Sequence, residues 1–220
     1  MSLVRQTPIL LDGPQGTLEV FVDLPANDTA PDTAPNGIVL IGHPHPLFGG
    51  TPDNKVVTTL SRVLRARGAV ALRPSFRGVG ASAGEHDHGN GETDDLLAVL
   101  DWARQRWGDL PITLAGFSFG AYVITRVAQR LKEAQRPAHW MVLVGTAAGM
   151  INGARQYDTV AVTADTLVIH GAQDTTVPLA NVLAWAEPLE IPVVVVPGAD
   201  HFFHRKLHIL YDIVDRRRPA

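Results

Sequence analysis

Ser118 stands in the run Gly116-Phe117-Ser118-Phe119-Gly120, a G-x-S-x-G pattern. The apolar stretch Ile112-Thr113-Leu114-Ala115 precedes it, and Ala121-Tyr122-Val123-Ile124 follows as a helix opening. A sharp turn between strand and helix pushes a serine hydroxyl out of a sheet, and the flanking glycines leave room for the crossing. The plainer alternative is a serine that merely caps the helix. A serine hydroxyl is a poor nucleophile at neutral pH; it needs a base, and the base needs a group that fixes its tautomer and stabilises its charge. Asp174 follows the apolar run Leu167-Val168-Ile169-His170, and His201 follows the run that ends at Val196. The chain order is Ser, Asp, His, the order that goes with this turn. The chemistry such a set performs is acyl transfer through a covalent intermediate on Ser118.

Competing residues exist for both partners. Asp165 precedes its strand and so sits at the wrong end of a sheet, Asp158 lies in an irregular stretch, and Asp200 competes with His201 for one turn. His204 and His208 fall near the start of the last helix, while His170 lies within a strand and reads as a core or supporting residue. Negative charge developing on a substrate oxygen needs fixed donors. One is expected to be the backbone N–H of Phe119, directly after the nucleophile. The other is sought in the loop His43-Pro44-His45-Pro46-Leu47-Phe48-Gly49-Gly50. Pro44 and Pro46 have no N–H, which leaves His45 and Leu47 as candidates.

Positioning these groups requires strand ends gathered on one side of a sheet. Short apolar runs alternate with longer amphipathic ones along the chain, the rhythm of a layered α/β fold. Strands are predicted over 17–24, 38–42, 69–72, 112–115, 141–144, 167–170 and 191–196. Helices are predicted over 53–67, 92–107, 119–132 and 207–216. In the first helix Val56, Val57, Leu60, Val63 and Leu64 share one face, and Gly68 supplies the stop. The Pro- and Asp-rich stretch 25–37 reads as a surface loop between two antiparallel strands. Fold class is therefore α/β, a mostly parallel twisted sheet with helices on both faces, in a single domain over 1–220.

Composition narrows the function. The chain has 220 residues, no Cys, 45% hydrophobic and 19% charged residues, and a formal net charge of −3. Its length suffices for a full hydrophobic core without disulfides or a structural metal. The absence of Cys excludes thiolate zinc sites and a cysteine nucleophile. The basic residues cluster only at Arg216, Arg217 and Arg218, so nucleic acid is not an expected partner. The first residues show no signal peptide, and no run reaches the roughly 18 apolar residues of a membrane helix. A soluble cytoplasmic protein without cofactor or metal, acting on a small-molecule acyl substrate, is expected.

These residues resemble the α/β-hydrolase superfamily, and the H-P-H-P-L-F-G-G loop looks like the small bacterial branch related to dienelactone hydrolases and compact esterases. Arg77-Gly78-Val79-Gly80-Ala81-Ser82 is similar to the superfamily's R-G-x-G-x-S turn, which implies structural roles for Arg77 and Ser82. Dienelactone hydrolases carry Cys at the turn; Ser118 shifts the expectation to ester, thioester or amide substrates. Relatives with a lid insert it after the sixth strand, and Gly145 to Asp165 is too short for one. The resemblance thus implies a lid-less, open serine esterase walled by Leu47, Phe48, Phe119, Met150 and Tyr157.

Other classes compete. His43, His45, Asp53, His86, Asp87 and His88 offer ligands for a metal-dependent hydrolase, although the prolines suit a turn and 86–91 reads as a polar surface loop. A non-catalytic binding protein on the same scaffold is the third class.

Overall fold

The apolar runs become strands and the amphipathic ones helices in the computed structural model, which describes residues 7–25, 34–66, 68–151 and 154–217. The strands are β1 (Ile9–Gly13), β2 (Gly16–Asp23), β3 (Ile38–Gly42), β4 (Val70–Pro74), β5 (Ile112–Phe117), β6 (Trp140–Val144), β7 (Gly149–Ile151), β8 (Arg155–Tyr157), β9 (Leu167–Gly171) and β10 (Val193–Val196). The α-helices are α1 (Lys55–Arg65), α2 (Asn90–Trp107), α3 (Phe119–Glu133), α4 (Leu179–Ala186) and α5 (Leu207–Arg217).

Eight strands form one sheet in the order β1-β2-β4-β3-β5-β6-β9-β10. From β4 to β10 every neighbouring pair is parallel, while β1 and β2 run antiparallel at one edge. Side chains alternate across a strand, so a strand covered on both faces must be apolar throughout. In β3, Ile38 and Leu40 join the core under α2 and α3, whereas Val39 and Ile41 join the opposite core under α1 and α5.

Two buried ion pairs fasten the loops around this frame. Arg77 donates to both carboxylate oxygens of Asp95 at 2.8 and 2.9 Å and to the Gly91 carbonyl at 2.9 Å, tying the Gly-rich turn to α2. Ser82 Oγ donates to the Ser75 carbonyl and accepts from the Glu19 N–H, which closes the same turn. Arg73 grips Asp23 and the Pro52 carbonyl, joining β4 to β2 and to the approach to α1.

Several local expectations change. β2 and β3 do run antiparallel, but β4 lies between them, so the connecting stretch does not close a hairpin; residues 26–33 of it lie outside the described residues, as does Arg218. Helix α1 starts later than predicted because the Asn54 side chain caps it, accepting from the Val56 N–H at 2.9 Å. Helix α2 starts earlier, since the Glu92 carboxylate reaches back to the N–H groups of Asp87 and Gly89. β1, β7, β8 and α4 were not predicted.

Candidate active site

The G-x-S-x-G turn sits at the carboxyl end of β5, in the middle of the sheet. Ser118 has φ 57° and ψ −120°, an unfavourable backbone for a residue with a Cβ, and its N–H is held by the Val144 carbonyl at 2.9 Å. The close crossing of β5, α3 and β3 explains Gly120: a Cβ there would lie 2.3 Å from the Gly42 carbonyl carbon and oxygen and 2.4 Å from the His43 oxygen, all backbone.

Ser118 Oγ lies 3.0 Å from His201 Nε2, and His201 Nδ1 lies 2.7 Å from Asp174 Oδ2. The three residues come from loops after β5, β9 and β10, and all are buried. Asp174 is pinned on its other oxygen, where Oδ1 accepts from the N–H groups of Thr176 and Val177 at 2.9 and 2.8 Å. The carboxylate thereby fixes the donor side of the imidazole, so Nε2 faces Ser118 as an acceptor. His170 stands behind this pair. Its Nε2 is 3.0 Å from the Val177 carbonyl and 3.4 Å from Asp174 Oδ2, and burial lowers its pKa. The rival Asp200 is engaged elsewhere, accepting from His204 at 2.7 Å on the exposed surface, and Asp158 accepts from Gln156 Nε2.

The loop after β3 turns through a short 3₁₀ helix, Pro46–Phe48. The Leu47 N–H points at His45 Nδ1, 3.3 Å away, and the Phe48 and Gly50 N–H groups both bond the His45 carbonyl. The N–H groups of Phe119 and His45 donate to no group among the described residues. Of the candidate donors in this loop, His45 therefore has the N–H left available.

His43 is wholly occupied by structure. Phe76 N–H donates to its Nε2 at 2.9 Å, and its Nδ1 donates to the Pro44 carbonyl at 2.7 Å. Burial, with a smaller push from His45, moves its pKa from 6.5 to about 3 against the Pro44 hydrogen bond. Both nitrogens being used, His43 has no lone pair for a metal. Asp53 turns to Arg73, and Asp87 accepts from the Gly91 N–H. Among the described residues no group of three or more potential ligands converges.

The segment 86–91 is exposed at Asp87, His88 and Asn90, as its polarity suggested, but His86 turns inward. The His86 ring is tucked beside His45 at 4.5 Å and Phe119 at 5.1 Å. Its Nδ1 is 2.9 Å from Glu92 Oε1, at ion-pair distance but outside hydrogen-bond alignment. The expected walls also divide. Leu47 and Phe48 are exposed at 69% and 67%. Phe119 is only 1% exposed, because the phase of α3 turns its ring inward onto Phe76, Tyr122 and Tyr157; it is a floor, not a wall. Tyr157 is buried beside it. Met150 pairs with Gln156 across β7 and β8, so alternation puts it on the opposite face from Tyr157.

A sequence profile described as alpha/beta hydrolase fold matches residues 49–161. The chain belongs to the α/β-hydrolase family. An uncharacterized protein of Rickettsia prowazekii is 33% identical over 210 residues, covering 90% of this chain and 82% of that protein. An α/β serine hydrolase homologue from Coxiella burnetii superimposes with a TM-score of 0.83 at 37% identity, over 100% of both chains. A serine hydrolase without lid from Xanthomonas campestris matches with a TM-score of 0.83 at 38% identity, over 100% of this chain and 98% of that one.

Like the latter, this α/β hydrolase is lid-less: between β6 and β9 the described residues form only the small β7–β8 ribbon. No helix among the described residues is long and apolar enough to cross a membrane. Sequence reasoning missed two residues beside the hydrolase site. Phe202 packs edge-on to the His201 ring at 5.1 Å and is 42% exposed. Arg155 lies over the Phe48 ring, 4.3 Å from its centroid. The adjacency of Phe202 to His201 was available as a signal; Arg155 depends on a ribbon too short to show periodicity.

Proposed function

We propose that this chain is a serine hydrolase that cleaves ester-like acyl bonds, a carboxylesterase working through an acyl-enzyme on Ser118. The continuous hydrogen-bonded line from Ser118 Oγ through His201 to Asp174, at 3.0 and 2.7 Å, carries the reading. His201 Nε2 takes the hydroxyl proton as Ser118 Oγ bonds to the carbonyl carbon, and Asp174 stabilises the imidazolium. The carbonyl oxygen becomes an oxyanion facing the Phe119 and His45 N–H groups. Collapse breaks the carbon–oxygen bond to the leaving group, which receives the proton from His201. Water then attacks the acyl-enzyme, giving up its proton to His201, and the carboxylic acid leaves as Ser118 is regenerated. Nothing in this cycle calls for a metal or cofactor. The exposed Leu47, Phe48 and Phe202 support an open site that takes short acyl esters, and a cytoplasmic role fits such small soluble substrates.

The test uses a fluorophosphonate probe and p-nitrophenyl acetate and butyrate. Labelling should map to Ser118 and vanish in Ser118→Ala, while Asp174→Asn should lower kcat by on the order of 10³–10⁴-fold. Labelling that persists in Ser118→Ala, or ester turnover indifferent to Asp174, would overturn the proposal.

A further inference from the structure

The rim of the site carries a charge that the proposed reaction does not use, the guanidinium of Arg155. In β8 the alternation of side chains puts Arg155 and Tyr157 on one face and Gln156 and Asp158 on the other, where Asp158 accepts from Gln156. Tyr157 packs against the inward-turned Phe119 ring, and Arg155, two residues earlier on the same face, reaches the loop that follows β3. The guanidinium lies flat on an apolar seat, 4.3 Å from the centre of the Phe48 ring. Phe48 in turn stacks edge-on against His45, at 4.8 Å, in the loop that carries the oxyanion donor.

Arg73, Arg77 and Arg104 each pair with a carboxylate, Asp23, Asp95 and Asp101, while the half-buried Arg65 and Arg126 donate instead to the Leu24 carbonyl and to Asn90 Oδ1. Arg155 has no carboxylate partner among the described residues, although it is partly sheltered from solvent. Its field is felt inside the site. His45 is held down to about pKa 4, by burial first and then by its neighbours His86, Arg155 and His88. Tyr157 is pushed up by burial, so its phenol stays protonated as a further donor. A planar fork of N–H donors with a phenol beside it, set at the loop after β3, forms a receptor for an anion.

We propose that Arg155 is a specificity residue that binds an anionic group, a carboxylate or a phosphate, carried by the acyl substrate a few atoms from the scissile carbonyl. This rests on the serine-hydrolase reading above. The preferred substrate is then an ester of a dicarboxylic or phosphorylated acid, with the carbonyl at Ser118 and the remote charge on Arg155.

The experiment compares p-nitrophenyl butyrate with the mono-p-nitrophenyl esters of glutaric acid and of 3-phosphonopropionic acid, each corrected for active sites by fluorophosphonate labelling. The ratio of kcat/KM for an anionic ester to that for the neutral ester should fall by about 10- to 100-fold in Arg155→Gln, chiefly through KM. Arg155→Lys should fall between, and raised salt should lower the ratio in the wild type. Arg130→Gln, which removes an exposed arginine on α3 paired with Asp94, should leave the ratio unchanged. Whichever anionic ester loses more in Arg155→Gln identifies the charge that is read, carboxylate or phosphate. A ratio unaffected by Arg155→Gln, or lowered equally by Arg130→Gln, overturns the assignment to Arg155. Failure of the wild type to label or to turn over any of the esters instead overturns the serine-hydrolase reading.

Discussion

Acid should destabilise this protein through a histidine that takes no part in the proposed reaction. His43 is fully buried, accepts from the Phe76 N–H and donates to the Pro44 carbonyl, so it is held as one neutral tautomer. A second ring proton would point straight at the Phe76 N–H. Burial accordingly moves its pKa from 6.5 to about 3. Between those values the unfolded chain binds a proton that the folded chain refuses, so stability falls as pH falls. The contribution is fully present above the unfolded pKa and drains away as the pH drops toward the folded one. Going from about pH 8 to about pH 5, the unfolded histidine gains RT ln(1 + 10^1.5), roughly 2 kcal/mol. At the lower pH the folded ring is still neutral, so the unfolded pKa governs the figure. His170, whose pKa burial also lowers, adds in the same direction. Guanidinium unfolding of the wild type and His43→Gln at both pH values isolates the term. The variant should be less stable at the higher pH by about 1–3 kcal/mol, for its imperfect hydrogen bonds, yet lose about 2 kcal/mol less on acidification. Equal losses in the two proteins, or an NMR titration showing the folded His43 ring charging near 6.5, would refute the reasoning.

Further outcomes follow from named contacts. Ser118→Gly should be more stable than Ser118→Ala by about 1 kcal/mol in thermal or chemical unfolding, because glycine relieves the positive φ that alanine retains; an alanine variant of equal or greater stability would show that the turn is unstrained. Gly120→Ala should cost more than about 3 kcal/mol and abolish fluorophosphonate labelling, since its Cβ would strike the Gly42 and His43 backbone at 2.3–2.4 Å; a folded, fully labelled variant would contradict this. Arg77→Met should destabilise by about 3–5 kcal/mol by leaving Asp95 a buried, unpaired charge, and adding Asp95→Leu should restore much of the loss. A double variant no better than the single would place the cost in packing.

Parallel strands buried on both faces must be apolar throughout, which makes the ends of β5 and β9 legible, and with them the neighbourhoods of Ser118 and Asp174; β10, only partly buried, is still marked by its run of valines, which leads to His201. The order of those strands across the sheet was not legible, because pairing of β2 with β4 is decided by contacts remote in sequence. β7 and β8 are three residues each, too short for a period of two to register. Polarity misled only at His86 within 86–91, whose ring turns in beside the Glu92 carboxylate that caps helix α2. Proximity to the nucleophile misled at Phe119: backbone position and side-chain direction are separate facts, and helix phase turned the ring into the core. Which of the His45 and Leu47 N–H groups the local turn engages is a matter of ångströms that residue types do not express.

The strand that delivers His201 is the outermost of the sheet. Among the described residues β10 has one hydrogen-bonded neighbour, β9, and Val195 on it is 37% exposed. Edge strands open more cheaply than central ones. Ser118 hangs from the innermost part of the same sheet, so the proposed base and the proposed nucleophile belong to regions of different local stability. On warming, the histidine should detach while the central strands still hold, and catalytic death would come before the loss of structure, reversibly, as a brief excursion of the rim.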